Sequence, residues 1–307
     1  MIYGLNEQGK FFVEYTACER PIGNVRQEME RACTRLADEG RIMISLSSGL
    51  DSQVLLHTFH TLKLPYECAF MHHPGFNDVE LGQIRKLEQK YKFKATVISV
   101  DPDQHREEVE ALAIETGIPA EHHLMKKFVA QLPDDRDILQ GIESYDFVFK
   151  DGRCYCMESW TAIEVASQRA LQEVPRSGKI VAIDRRAPFN EFALAYLSDP
   201  VVTGYLNALP YIKGNGLIEK ETGEPPPLIF SWEYYVKPII LGQYWRRGEL
   251  EFFPKYVSPE KISWIMNPSD PRMRHNYQNR CVFIEREELI RLLSKWGSKE
   301  SRRWEQK

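Results

Sequence analysis

The sequence predicts an α/β fold, a doubly wound parallel sheet followed by a mixed, largely helical C-terminal part. Between Ile42 and Val100, short apolar runs alternate with segments of helical period, and β-α-β-α-β order is the pattern of crossovers between parallel strands. The first of these strands runs directly into a loop of small residues, Ser47-Ser48-Gly49-Leu50-Asp51-Ser52, before helical spacing resumes. In such folds ligands gather at the carboxyl ends of the strands, where this loop falls.

Lys10 to Tyr15 reads as a short strand with no catalytic residue. From Ile22 to Ala37, Val25, Met29, Ala32, Cys33 and Leu36 recur near helical spacing among Arg, Glu and Gln, and Asp38-Glu39-Gly40 closes the helix. Ile42 to Leu46 is an apolar run suited to a buried parallel strand, and Gln53 to Phe59 begins the next helix. Tyr66 to Met71 is a second strand, Val79 to Tyr91 a helix and Ala95 to Val100 a third strand; Asp103 to Thr116 and Ala120 to Leu132 are further helices. Asp137 opens a strand that turns through Gly141. Leu209 to Pro227, with its run Pro225-Pro226-Pro227, is loop-like, and Ser298 to Lys307 has the charge density and lack of apolar period of a mobile tail.

Composition narrows the function classes. Hydrophobic residues at 43% and charged residues at 27% are ordinary globular values, which suggest neither broad disorder nor a membrane class. No apolar run reaches the length of a membrane span and Met1 to Lys10 lacks a signal-peptide core, so a cytoplasmic location without a membrane partner is expected. A net charge of −4 argues against bulk nucleic acid as the main partner, although it leaves room for a local basic patch. Cys18, Cys33, Cys68, Cys154, Cys156 and Cys281 show no C-x-x-C spacing, so reduced, mostly buried thiols are expected, Cys154 and Cys156 included. The pairs His72-His73 and His122-His123 lack a partner four residues away, and neighbours on a strand face opposite ways, so ordinary polar roles are expected rather than metal ligation. Gly214-Asn215-Gly216 is followed by Glu219 where a dinucleotide fingerprint has its third glycine, and there is no Walker A motif.

The loop itself points to phosphate. Small residues let the backbone close around a polyanion, and the N–H groups there and in the first turn of the next helix offer donors and partial positive charge. Asp51 is not a phosphate contact; beside a pyrophosphate it is better explained as a ligand for Mg2+, which favours carboxylate, phosphate and water oxygens.

Ser47 to Ser52 resembles the SGGxDS signature of the PP-loop ATP pyrophosphatases, enzymes that split ATP between the α- and β-phosphates and transfer AMP to an acceptor. Every position agrees except Ser48, which stands where the family usually has its first glycine. Gly141 to Phe149 resembles the asparagine-synthetase segment SGEGADELF: Glu143, Asp146 and Phe149 match, Gly141 replaces its serine, and Ile142, Ser144 and Tyr145 depart. Ile180 to Glu191 resembles that family's ExRxPFLD segment through Arg186, Pro188 and Phe189, with Asp184 and Glu191 as acidic replacements; Arg186 reads as a structural ion-pair partner.

This resemblance, running from about Ile22 to Leu197, is closest to the synthetase domains of asparagine synthetase and β-lactam synthetase. It implies ATP and Mg2+ as cofactors, with nucleotide and pyrophosphate held by Leu46, Ser47, Ser48, Gly49, Leu50, Asp51, Ser52, Met71 and Gly141. It implies Asp51 and Asp146 as metal ligands and Glu143 as a carboxylate near the acceptor. Such synthetases also use a lysine near the end of the domain, for which Lys237 and Lys255 are the candidates. The implied partners are a small-molecule acceptor, whose carboxylate is adenylated, and an amine or ammonia that displaces AMP to form an amide. Residues before Arg41 are too few for a glutaminase domain and residue 2 is Ile2 instead of a cysteine, so ammonia from glutamine is not expected. The expected organisation is an N-terminal extension over 1–40, a PP-loop domain over 41–200, its C-terminal completion with a place for the acceptor over 201–297, and a flexible tail over 298–307. Two other readings stay open. A sulfurtransferase or modifier of tRNA or DNA bases would be favoured by a basic face and a reactive Cys154 or Cys156. A nucleotide-binding regulator without turnover is permitted by Ser48 and by the unrecognised lysine motif.

Overall fold

The computed structural model describes residues 2–8, 10–116, 120–141, 146–150, 153–160, 174–182, 190–208 and 280–305. Glu143, Lys237, Lys255, the Asp184 to Phe189 motif and the Leu209 to Pro227 loop lie outside the described residues.

Two antiparallel strands, β1 (Ile2–Leu5) and β2 (Phe11–Thr16), open the chain. Helix α1 (Val25–Glu39) starts at a capping box in which Asn24 and Gln27 each accept the other's backbone N–H at 3.0 Å, satisfying donors that a helix start leaves orphaned. Its apolar stripe, Val25 to Leu36, is buried as the spacing predicts. Then follow β3 (Ile42–Ser45), α2 (Leu50–Thr61), β4 (Glu67–His72), α3 (Asp78–Tyr91), β5 (Ala95–Ser99), α4 (Arg106–Thr116), α5 (Ala120–Val129) and β6 (Asp137–Gln140). After these come β7 (Asp146–Lys150), β8 (Arg153–Trp160), β9 (Ile180–Ala182), α6 (Asn190–Leu197), α7 (Pro200–Ala208), β10 (Arg280–Glu285), α8 (Arg286–Leu293) and β11 (Ser301–Glu305).

The central sheet has five parallel strands in the order β5-β4-β3-β6-β9. From β3 the chain winds outward through β4 to β5, then crosses back to β6 and on to β9, which is the doubly wound topology. Both faces of β3 are covered, and its alternation shows how. Ile42 and Ile44 join the core formed with α1, α2, α3 and α6, whereas Met43 joins the core formed with α4 and α5. A strand buried on both faces reads as continuous apolar sequence, so Ile42 to Leu46 shows no polar alternation. Among the described residues no helix is long and apolar enough to cross a membrane.

Two smaller antiparallel sheets flank this core, in the orders β10-β8-β7 and β1-β2-β11. The second corrects the expected flexible tail at 298–307, because Ser301–Glu305 is a strand paired with β2 from Ser301 opposite Thr16 to Glu305 opposite Phe12. Its only large apolar residue, Trp304, packs edge-on to the buried Tyr15 at 6.2 Å, and the Arg303 guanidinium lies 4.1 Å from the Phe12 ring centre. One tryptophan among charged residues leaves no period to read, although it suffices to anchor an edge strand. The helix after the small-residue loop also differs from expectation, beginning at Leu50 instead of Gln53 because Gly49 supplies the N-cap.

Gly178 sets the entry to β9. A Cβ there would lie 2.0 Å from the Arg136 carbonyl oxygen and 2.4 Å from its carbon, and backbone atoms cannot turn aside as a side chain can. Gly178→Ala is therefore expected to destabilise the fold by about 1–3 kcal/mol or more, read as a lowered urea midpoint. An unchanged midpoint would contradict this close approach.

Candidate phosphate-binding site

The winding reverses between β3 and β6, the place where doubly wound sheets characteristically leave a crevice at the carboxyl ends of their strands. Leaving β3, Leu46 donates its N–H to Ala69 O at 2.8 Å, so the chain stays in register with β4 until the loop begins. Gly49 has extended backbone angles (φ −69°, ψ 155°) and brings no side chain to the start of α2. The first bond of the helical ladder here runs from Gln53 N–H to Gly49 O at 3.2 Å. The amides of Leu50, Asp51 and Ser52 thus belong to the first turn, where no acceptor exists within the helix and the positive end of its dipole lies.

Gly141 meets this turn from the end of β6. A Cβ at Gly141 would stand 3.2 Å from Asp51 Cβ and 3.5 Å from Ser52 N, so the absence of a side chain permits the approach. Asp51 Oδ1 is buried at the same place. Two sequence-predicted site segments far apart in the chain, Leu46 to Ser52 and Gly141, are thereby brought together. Met71 lies one strand over, near the end of β4. Asp146 is the first residue of β7, opposite Met157 in the antiparallel sheet, and it is joined to Gly141 by 142–145, which lie outside the described residues.

The two outer serines of the loop close it on itself. Ser52 Oγ accepts the Ser47 N–H at 3.0 Å, donates toward Ser47 O at 2.7 Å, and lies 3.0 Å from Ser47 Oγ, which in turn accepts the Gly49 N–H at 3.2 Å. Ser48 is engaged elsewhere. Its N–H and its hydroxyl both donate to Glu80 Oε1, at 2.8 and 3.1 Å, and its carbonyl accepts from Gln53 Nε2 at 3.0 Å. The serine in the glycine position costs no backbone strain, since the described non-glycine residues with positive φ are Lys63 and Lys92. Glu80 is the residue that sequence reasoning missed. The signal was Asn77 followed by an acidic first turn of α3, which reads as an ordinary helix start.

Histidines beside the site fasten the loop after β4. His72 Nε2 is 2.7 Å from Asp78 Oδ1, while the His73 N–H donates to Asn77 Oδ1 at 2.7 Å. Burial pushes the His73 imidazole below its ordinary pKa, partly offset by its contact with Val100 O. Among the described residues, no group of three or more His, Cys, Asp and Glu stands together as a ready-made metal cluster. On β8, Cys156 is buried and burial pushes the Cys154 thiol up to about 12, against the opposing pull of Arg286.

No protein-family model and no curated protein sequence matches this chain. Part of it is similar to the solved structure of NMN synthetase from Francisella tularensis, at 16% identity and a TM-score of 0.30 over 38% of this chain and 54% of that one. The match thus spans about half the length of that synthetase. No family model or curated sequence supports the asparagine-synthetase type in particular.

A thiol raised to about 12 holds roughly three orders of magnitude less thiolate at pH 8 than an ordinary one near 8.5. Cys154 is accordingly expected to react with iodoacetamide at least about 100-fold more slowly in the folded protein than in urea, followed by peptide mass spectrometry. Equal rates would contradict the raised pKa of this half-buried thiol.

Proposed function

We propose that the protein is an ATP-dependent synthetase that cleaves ATP to AMP and pyrophosphate, adenylates an acceptor carboxylate, and lets an amine or ammonia displace AMP to form an amide. The observation that supports this reading is the close approach of Gly141, first residue of the second resembling segment, to Asp51 and Ser52 of the signature loop. Phosphate oxygens would be held by the first-turn amides of Leu50, Asp51 and Ser52, with the positive end of α2 offsetting their charge. Met71 would lie beside the nucleoside.

Asp51 fits a hard cation by its donor type, a carboxylate with one oxygen buried at the same helix end. Asp146 is its proposed companion. Mg2+ bound there would neutralise phosphate charge and polarise the α-phosphoryl group. Glu143 would orient or deprotonate the attacking amine, and Lys237 or Lys255 would meet the charge on the departing pyrophosphate. Donors fixed by the fold before reaction need no reorganisation as charge develops, which is why a rigid helix end serves better than a mobile loop. The raised pKa of Cys154 weighs against the sulfurtransferase alternative, which needs an accessible thiolate.

The test is a screen of small-molecule extracts for ATP-dependent pyrophosphate release, with mass spectrometry of the product. Equimolar AMP and pyrophosphate are expected; ADP and phosphate would contradict the reading. Asp51→Asn should lower release on the order of 10²-fold or more while leaving the unfolding midpoint near wild type. Turnover at the wild-type rate in this variant would remove Asp51 from the chemistry.

Glu143 and Asp146 should separate in partial reactions. Asp146→Ala is expected to abolish pyrophosphate–ATP isotope exchange, whereas Glu143→Gln should keep exchange and slow amide formation by about 10²–10⁴-fold. Equal loss of exchange in both variants would mean that the register of Gly141 to Phe149 on the synthetase segment is wrong.

A further inference from the structure

We infer that Glu80 is a positioning residue for the phosphate loop: its carboxylate braces Ser48 from the first turn of α3, and so reserves anion binding for the first turn of α2. The inference rests on the reading of this loop as a polyphosphate site. Both Ser48 donors converge on one oxygen, Glu80 Oε1, at 2.8 and 3.1 Å. The other oxygen, Oε2, is 3.4 Å from Asn77 Nδ2, and Asn77 is itself held by Met71 O at 3.0 Å and by the His73 N–H at 2.7 Å. The chain segments that leave β3 and β4 are thus tied at their carboxyl ends through a single glutamate.

A carboxylate on loop amides could instead be a competitor that phosphate displaces. Burial decides against this. Ser48 is 1% exposed and Asn77 6% exposed, and the Ser48 carbonyl is also engaged, by Gln53 Nε2 at 3.0 Å. A phosphate could take the place of Glu80 only by drawing Ser48 out of the interior and leaving buried polar groups unmatched. The brace also accounts for a serine where the signature has glycine, because only a side-chain hydroxyl gives the carboxylate its second donor.

Amide hydrogen exchange of the ligand-free protein reads the brace without reference to ATP. In Glu80→Ala, the peptide over 46–53 should exchange about tenfold or more faster, with peptides from α8 and β11 unchanged. Glu80→Gln, whose amide oxygen can still accept both bonds, should stay within about threefold of wild type. Ser48→Gly, which loses one of the two bonds, should fall between them. If Glu80→Ala does not fold, the contrast between Glu80→Gln and Ser48→Gly carries the same information. Pyrophosphate binding with Mg2+ should weaken by about tenfold in Glu80→Ala and be retained in Glu80→Gln. Unchanged exchange in Glu80→Ala, or tighter pyrophosphate binding in both Glu80 variants, would overturn the inference. If the exchange contrast holds and wild type binds neither ATP nor pyrophosphate, the polyphosphate reading fails and the brace stands.

Discussion

Parallel strands cannot be joined by a hairpin, so each must be reached by a crossover that returns the chain to the same edge. In this protein that requirement gathers the carboxyl ends of all five central strands on one side, and the order β5-β4-β3-β6-β9 sets the reversal of winding between β3 and β6. β3 can occupy the middle only because both of its faces are apolar, with Ile42 and Ile44 toward one helical layer and Met43 toward the other. The loop leaving β3 is therefore delivered to the mouth of the crevice, and the segment leaving β6 arrives against it. The contact of Gly141 with Asp51 and Ser52 is a consequence of that topology.

The loop at this position balances opposite demands. A helix start carries partial positive charge, worth roughly 0.3–1 kcal/mol to an anion at an exposed site and up to about 2 where it is partly buried. Asp51 and Glu80 bring two carboxylates to the same loop, on different elements. Glu80 is held by the Ser48 donors and by Asn77, whereas Asp51 stands in the first turn of α2 beside Gly141. On the proposed reading these carboxylates have separate tasks, Glu80 keeping the loop in shape and Asp51 binding the cation that makes a polyphosphate tolerable next to them.

Elements built from local pattern were legible in the sequence. The α1 stripe, the β3 run and the β-α-β alternation each arise from a period that a single segment displays, and the structure keeps them with small shifts at their ends. The start of α2 moved to Leu50 because a glycine N-cap has no side-chain signature. Features built from distant partners were not legible. β11 depends on Trp304 finding Tyr15 and on Arg303 finding Phe12, and neither Trp304 nor Arg303 by itself marks 301–305 as a strand. The Ser48–Glu80 bond joins a loop to the first turn of a helix, and the two residues, taken singly, look like a signature mismatch and an ordinary helix start. The convergence of Gly141 on the loop was expected from resemblance, and its physical cause lies in the strand order, which periodicity alone does not give.

The central claim is that a nucleotide polyphosphate binds where the chain leaving β3 meets the chain leaving β6. Hydrogen exchange with and without a non-cleavable ATP analogue, α,β-methylene-ATP with Mg2+, tests it most directly. The account predicts new protection of the peptides over 46–53 and 138–141. Protection elsewhere with these two segments unchanged, or none at saturating analogue, would contradict it.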